Sequence, residues 1–154
     1  VVQKIHFSAG LLATLTIATF FLGTIVVEVF GSHEGVATVK SLIVMPGLMV
    51  LVPAIAVTGG SGFARSKSWQ GHLVEAKKKR MPFIAANGLF VLLPSAVLLD
   101  RWASQGMFDD TFYVVQGVEL LAGAINLMLM GMNIRDGLRM SGRFHAMLDS
   151  ITPR

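Results

Sequence analysis

Long apolar runs alternate with short polar interruptions along the chain, and the length of the runs sets the first conclusion. A helix needs about 20 mainly apolar residues to cross the hydrocarbon of a bilayer. Four stretches come up to that length: residues 5–30, 36–58, 82–99 and 112–132. They predict an all-α, polytopic membrane protein, a single four-transmembrane-helix bundle over residues 1–154. The first run is too long for the apolar core of a signal peptide, and no A-x-A-like cleavage site follows it cleanly, so it reads as a retained helix. Residues 31–35 (GSHEG) form a tight turn, which makes the first two helices antiparallel neighbours. A basic loop, 59–81, and a basic tail, 133–154, complete the layout. Gly59-Gly60-Ser61-Gly62 reads as the stop of the second helix, and Trp69, Leu73 and Ala76 as one side of a short interfacial helix.

Inside the apolar runs, polar residues recur at helical spacing. Gln116, Glu119, Gly123, Asn126, Met130 and Asn133 follow one another at 3, 4, 3, 4 and 3 residues, which is one face of a helix. His6, Gly10, Thr14, Ile17, Phe21, Thr24 and Glu28 make a similar stripe on the first helix. Glu and Asn are costly against lipid, so both stripes turn inward and the first and fourth helices pack together, with Gly10 and Gly123 allowing close approach. Pro46, Pro53 and Pro94 fall within the second and third helices, where proline kinks a helix but is tolerated.

Charge adds orientation and candidate chemistry. Eleven Lys and Arg residues lie on the side of the termini and the long loop, against two, Lys40 and Arg101, on the other. The positive-inside bias predicts both termini in the cytoplasm. Glu28, Lys40 and Glu119 lie inside spanning helices, where an ionisable group costs about 2.5–3.5 kcal/mol on insertion scales and is a functional candidate by default. Glu28 and Lys40 match in depth across the tight turn and are expected to pair. Two carboxylates against one lysine leave a charge over, so one carboxyl is protonated or Arg101 reaches down to join them. Glu119 is expected to face an internal cavity. Lys77, Lys78, Lys79 and Arg80 abut the third helix as a topology signal and a lipid-headgroup site.

Composition narrows the function classes. Of 154 residues, 53% are hydrophobic and only 14% charged, too few for a water-facing surface. The absence of cysteine excludes disulfides, thiolate metal sites, cysteine-held iron–sulfur clusters and thiol nucleophiles. No nucleic-acid motif and no hydrolase signature occurs. His6 is the one histidine within a spanning run; His33 reads as solvated in its turn, and His72 and His145 fall in the basic loop and tail. His6 and Gly10 form H-x-x-x-G, in which a small residue one turn from a histidine lets a haem face approach. This spacing resembles that of membrane b-type cytochromes, over five residues only.

These features lead to an expectation of a small integral membrane subunit, in a bacterial inner membrane, holding haem b or a quinone for electron transfer. The cofactor would lie against His6, Gly10, Gln116, Glu119 and Asn126, with iron at His6 if haem is bound. The alternatives are a proton-coupled carrier or small channel using Glu28, Lys40 and Glu119, and a scaffold subunit without chemistry. Expected partners are membrane lipid and either further copies of the chain or a larger membrane complex.

Overall fold

A computed structural model describes residues 2–66 and 72–140, with side chains over 3–62 and 75–139. Helix α1 (Val2–Phe30) ends at Gly31, where any Cβ would lie 2.5 Å from the Val27 carbonyl oxygen, so only glycine lets the chain turn there. Ser32 follows in extended conformation, and its Oγ accepts the Gly35 N–H at 3.2 Å. This N-cap satisfies one of the orphan donors that open α2 (His33–Leu42). A widened, π-type turn, Ile43–Gly47, leads into α3 (Leu48–Ser66). Met45 is non-helical there (φ −136°, ψ 114°), beside Pro46, which has no N–H to continue the ladder.

Helix α4 (His72–Asn87) passes through a second widened turn, Gly88–Leu92, into α5 (Leu93–Ser104). Gly106, at φ 70°, turns the chain back in the left-handed region that glycine adopts without strain. Asp109 then accepts the Phe112 N–H at 2.9 Å and caps α6 (Asp110–Met140).

Among the described residues the protein is all-helical, and four segments are long and apolar enough to cross a membrane: Gln3–Phe30, His33–Gly62, Glu75–Ser104 and Asp110–Arg139. The third span is longer at both ends than the apolar run 82–99, and the fourth runs past residue 132. Hydropathy marks where hydrocarbon can lie, whereas a helix continues into the headgroup layer when its polar residues are good helix formers. Lys77–Arg80 are such residues and belong to α4, not to a loop. Nor does Gly59–Gly62 stop the second span, since α3 continues to Ser66. The Thr58 and Ser61 hydroxyls bond back to the carbonyls of Ala54 and Val57, meeting their own polar needs inside the helix. Trp69 and the tail beyond Met140, His145 included, lie outside the described residues, as do the side chains of His72 and Leu73.

The spans form a square: each packs against the next in sequence, and α6 closes on α1. The two diagonal pairs have no comparable contact. One apolar cluster (Val36, Leu99, Ala103, Phe112) fills the end that carries the two short turns, hereafter the turn end. A second (Ala13, Ile17, Ala54, Met130) lies in the other half, toward the terminal end. The outward surface is apolar, with Leu22, Phe90, Val114 and Leu121 all exposed, as suits a lipid-facing wall.

Candidate functional site

The α6 stripe faces the interior. Gln116, Asn126 and Asn133 are buried, and Gly123 lies so close to α1 that a Cβ would come within 3.5 Å of the Phe21 ring. The α1 stripe faces inward as well, but its glycine meets a different neighbour: at Gly10 a Cβ would come within 3.5 Å of Thr58 on α3, not against α6.

Near the turn end of the α6 stripe, Glu119 Oε2 accepts a hydrogen bond from Lys40 Nζ. Lys40 is completely buried, and the Glu119 side chain is 12% exposed. The pair joins the second and fourth spans across a diagonal of the square, tying two helices that otherwise scarcely meet. Lys40 therefore does not pair with Glu28 as the matched depths suggested, and the reason is rotational. Gly23 faces Val39 and Gly35 faces Val27, so α1 presents its Gly23–Val27 side to α2. Glu28 is one residue, about 100° around the helix, beyond Val27 and lies on the stripe that faces α6. Nor does Arg101 reach down. It is exposed at the turn end, while its neighbours Leu99 and Ala103 take the interior face of α5.

Further toward the terminal end, amides link α4 to α6. Asn87 Nδ2 donates to the Asn126 Oδ1 and the Ala122 carbonyl, both at 2.9 Å, and Asn126 Nδ2 donates to the Ile84 carbonyl at 3.3 Å. About two to three turns further on, Arg80 Nη1 donates to Asp136 Oδ2 at 2.7 Å, with Arg135 3.4 Å from the other oxygen. Asp136 is 2% exposed. Arg80 is thus turned inward by a buried carboxylate, and of the basic run only Lys78 and Lys79 are exposed. Asp136 and Asn87 escaped the sequence reading. The 3–4 spacing of the α6 stripe carries on from Asn133 to Asp136, past the apolar run, where an Asp between Arg135 and Arg139 reads as headgroup-layer charge.

Between these two polar layers and the apolar walls lies a cavity of about 1100 Å³. All four spans line it, because α2 and α5 pack closely while α3 and α4 separate. Of the residues singled out for a cofactor, His6, Gly10, Glu119 and Asn126 line it, and Gln116 does not. Among the described residues Glu119 is the one carboxylate in its wall, near the turn end; Lys4, Lys77 and Lys78 stand at the other end.

His6 is oriented at that same end. Its Nδ1 lies 3.1 Å from the Thr58 carbonyl and 3.0 Å from Ser61 Oγ. A carbonyl only accepts, so Nδ1 carries a proton and donates it there. A bis-histidine haem needs a second ring, and among the described side chains no other histidine lines the cavity. His33 sits at the opposite end of the bundle, exposed and stacked on Phe108 at 4.1 Å. No group of three or more His, Cys, Asp or Glu side chains suited to a metal ion occurs among the described residues. Compared with protein-family models, curated proteins and solved structures, the chain matches none.

Proposed function

We propose that this membrane protein binds a lipid-soluble quinone in the cavity and serves as an electron-transfer subunit. The observation that supports the reading is a large apolar chamber, reached between α3 and α4, that ends on an ion-paired carboxylate. An isoprenoid tail matches the apolar walls around Ile17, Leu51 and Ile84. A quinol hydroxyl would donate to the Glu119 carboxylate, a hydrogen-bond acceptor at a depth where the bilayer offers none. Haem is the weaker fit, because among the described side chains no second histidine lines the cavity beside His6. We read the eleven-to-two charge bias as support for both termini and the Lys77–Arg80 stretch lying on the cytoplasmic side, and take the membrane to be a bacterial inner membrane. The turn end then faces outward.

The test is extraction of the protein, purified in mild detergent from quinone-rich membranes, followed by chromatography and an absorption spectrum. A quinone is expected at near one per chain, with Ala85→Trp, which fills the cavity from an exposed lining position, losing most of it. Absence of quinone from the wild type, or equal content in Ala85→Trp, refutes the reading. A Soret band would return the assignment to haem. A second reading, proton-coupled transport, draws on the buried Lys40–Glu119 pair, and ligand-independent proton flux in vesicles would favour it.

A further inference from the structure

The cavity carries opposite charges at its two ends. Glu119 stands near the turn end, and Lys4, Lys77 and Lys78 stand in the wall at the terminal end. Glu119 and Gly137 both line it, and the α6 segment between them is about 27 Å long. That approaches the thickness of the hydrocarbon, about 30 Å, so with Glu119 inside the bilayer the lysines reach the headgroup layer of the terminal face.

A topology signal needs cations beside a helix end, pointing in any direction. These three share one opening. Lys4 comes from α1, and Lys77 and Lys78 from α4, on spans that face each other across a diagonal of the square. Lys4 and Lys78 are exposed, whereas Lys77 is half-buried and leans toward α6, its Nζ 3.2 Å from where a Cβ on Gly137 would stand. The rest of the basic run is used differently. Lys79 is exposed but outside the wall, and Arg80 is held by Asp136. Among the described side chains the acids of that end do not offset the three lysines: Glu75 is exposed and outside the wall, and Asp136 already has two arginines. Phe7, Met81, Ile134 and Leu138 line the same end with apolar surface. Because α3 and α4 stand apart, a hydrocarbon chain can enter there from the bilayer without leaving apolar surroundings.

We propose that Lys4, Lys77 and Lys78 form a headgroup site for an anionic phospholipid of the leaflet at the terminal face, one acyl chain of which enters the cavity between α3 and α4. The phosphate oxygens accept from the lysine ammoniums, which act on phosphate as compact point charges. A zwitterionic headgroup brings a cation of its own, and the one carboxylate in the described wall, Glu119, is about 27 Å away and already paired. The three lysines therefore select a net negative headgroup. A soluble phosphate would meet the lysines but leave the apolar surface beneath them uncovered. This site lies at the opposite end from Glu119 and holds whichever ligand reaches that carboxylate.

The test is a competition. The protein, freed of bound lipid and quinone, is mixed in maltoside micelles with equimolar phosphatidylglycerol and phosphatidylcholine, and the retained lipid is counted by native mass spectrometry. Phosphatidylglycerol should be retained about tenfold over phosphatidylcholine. Lys4→Gln and Lys78→Gln should each lower that ratio about fivefold. Lys79→Gln removes the same charge beside Lys78 but outside the wall, and should leave the ratio within about twofold. All three are exposed positions, where glutamine does not disturb the packing. Equal retention of the two lipids overturns the proposal, and so do equal losses from Lys78→Gln and Lys79→Gln, which would mean diffuse surface charge. Glycerol phosphate in excess should not displace the phosphatidylglycerol; displacement would make a soluble phosphate the occupant and overturn the lipid assignment. The readout needs no quinone, and Lys78→Gln should leave the quinone content of the protein unchanged, so failure of the quinone reading and failure of this one are separable.

Discussion

Lys40→Met removes the ammonium from the bundle centre while keeping an unbranched chain of similar length. The volume around α2 is preserved, and the loss isolates the charge. The Glu119 carboxylate, 12% exposed, is left without its counter-ion. Breaking a buried pair from one side costs about 3–5 kcal/mol in soluble proteins. Contacts between helices in bilayers run lower, about 0.6 kcal/mol on average and about 1.7 at most, because the unfolded reference also finds partners. Glu119 opens onto the cavity and can recruit some hydration there, so a loss of about 2–3 kcal/mol is expected, between the two scales. Lys40→Met with Glu119→Gln removes both charges and should cost about 1 kcal/mol or less, which makes the coupling about 2 kcal/mol. The companion cycle, Lys40→Met with Glu28→Gln, should be additive to within about 0.5 kcal/mol, since Glu28 faces α6 and not Lys40. Both cycles are measured by reversible unfolding in mixed micelles followed by far-ultraviolet circular dichroism. Additivity in the Glu119 cycle, or coupling in the Glu28 cycle, refutes the diagonal pair.

Arg80→Gln should destabilise by about 2 kcal/mol by stripping Asp136 of its closest cation, less than a fully buried pair would lose because the Arg80 side chain is 20% exposed, and Asp136→Asn added to it should restore part of the loss in the same unfolding assay. Gly47→Ala places a Cβ 2.5 Å from the Phe20 ring and 2.9 Å from the Leu42 carbonyl oxygen. It should cost about 1–3 kcal/mol by overpacking, whereas Gly117→Ala, with open space around it on α6, should be neutral or slightly stabilising.

Periodicity alone was enough to establish the helical class and the existence of four apolar spans, because hydrocarbon admits few backbone solutions and only a helix satisfies its own hydrogen bonds within one segment. It also located the α6 stripe from Gln116 to Asn133, since lipid penalises amides and carboxylates wherever the helix is placed. Helix ends were not legible in the same way. Lys77–Arg80 and Asp136 lie where the chain leaves the apolar run but remains helical, and hydropathy falls silent there. Partner choice lay further out of reach. Depth along the chain put Glu28 and Lys40 level, but a salt bridge also needs the two side chains to share a direction, and that depends on how each helix is rotated about its own axis. The contacts Gly23–Val39 and Phe21–Gly123 set those rotations, turning Glu28 toward α6 and leaving Lys40 to reach Glu119 across the diagonal. The cavity is a tertiary product too: it exists because the second and third spans close at one end and part at the other, a relation between distant segments that no local pattern in the chain encodes.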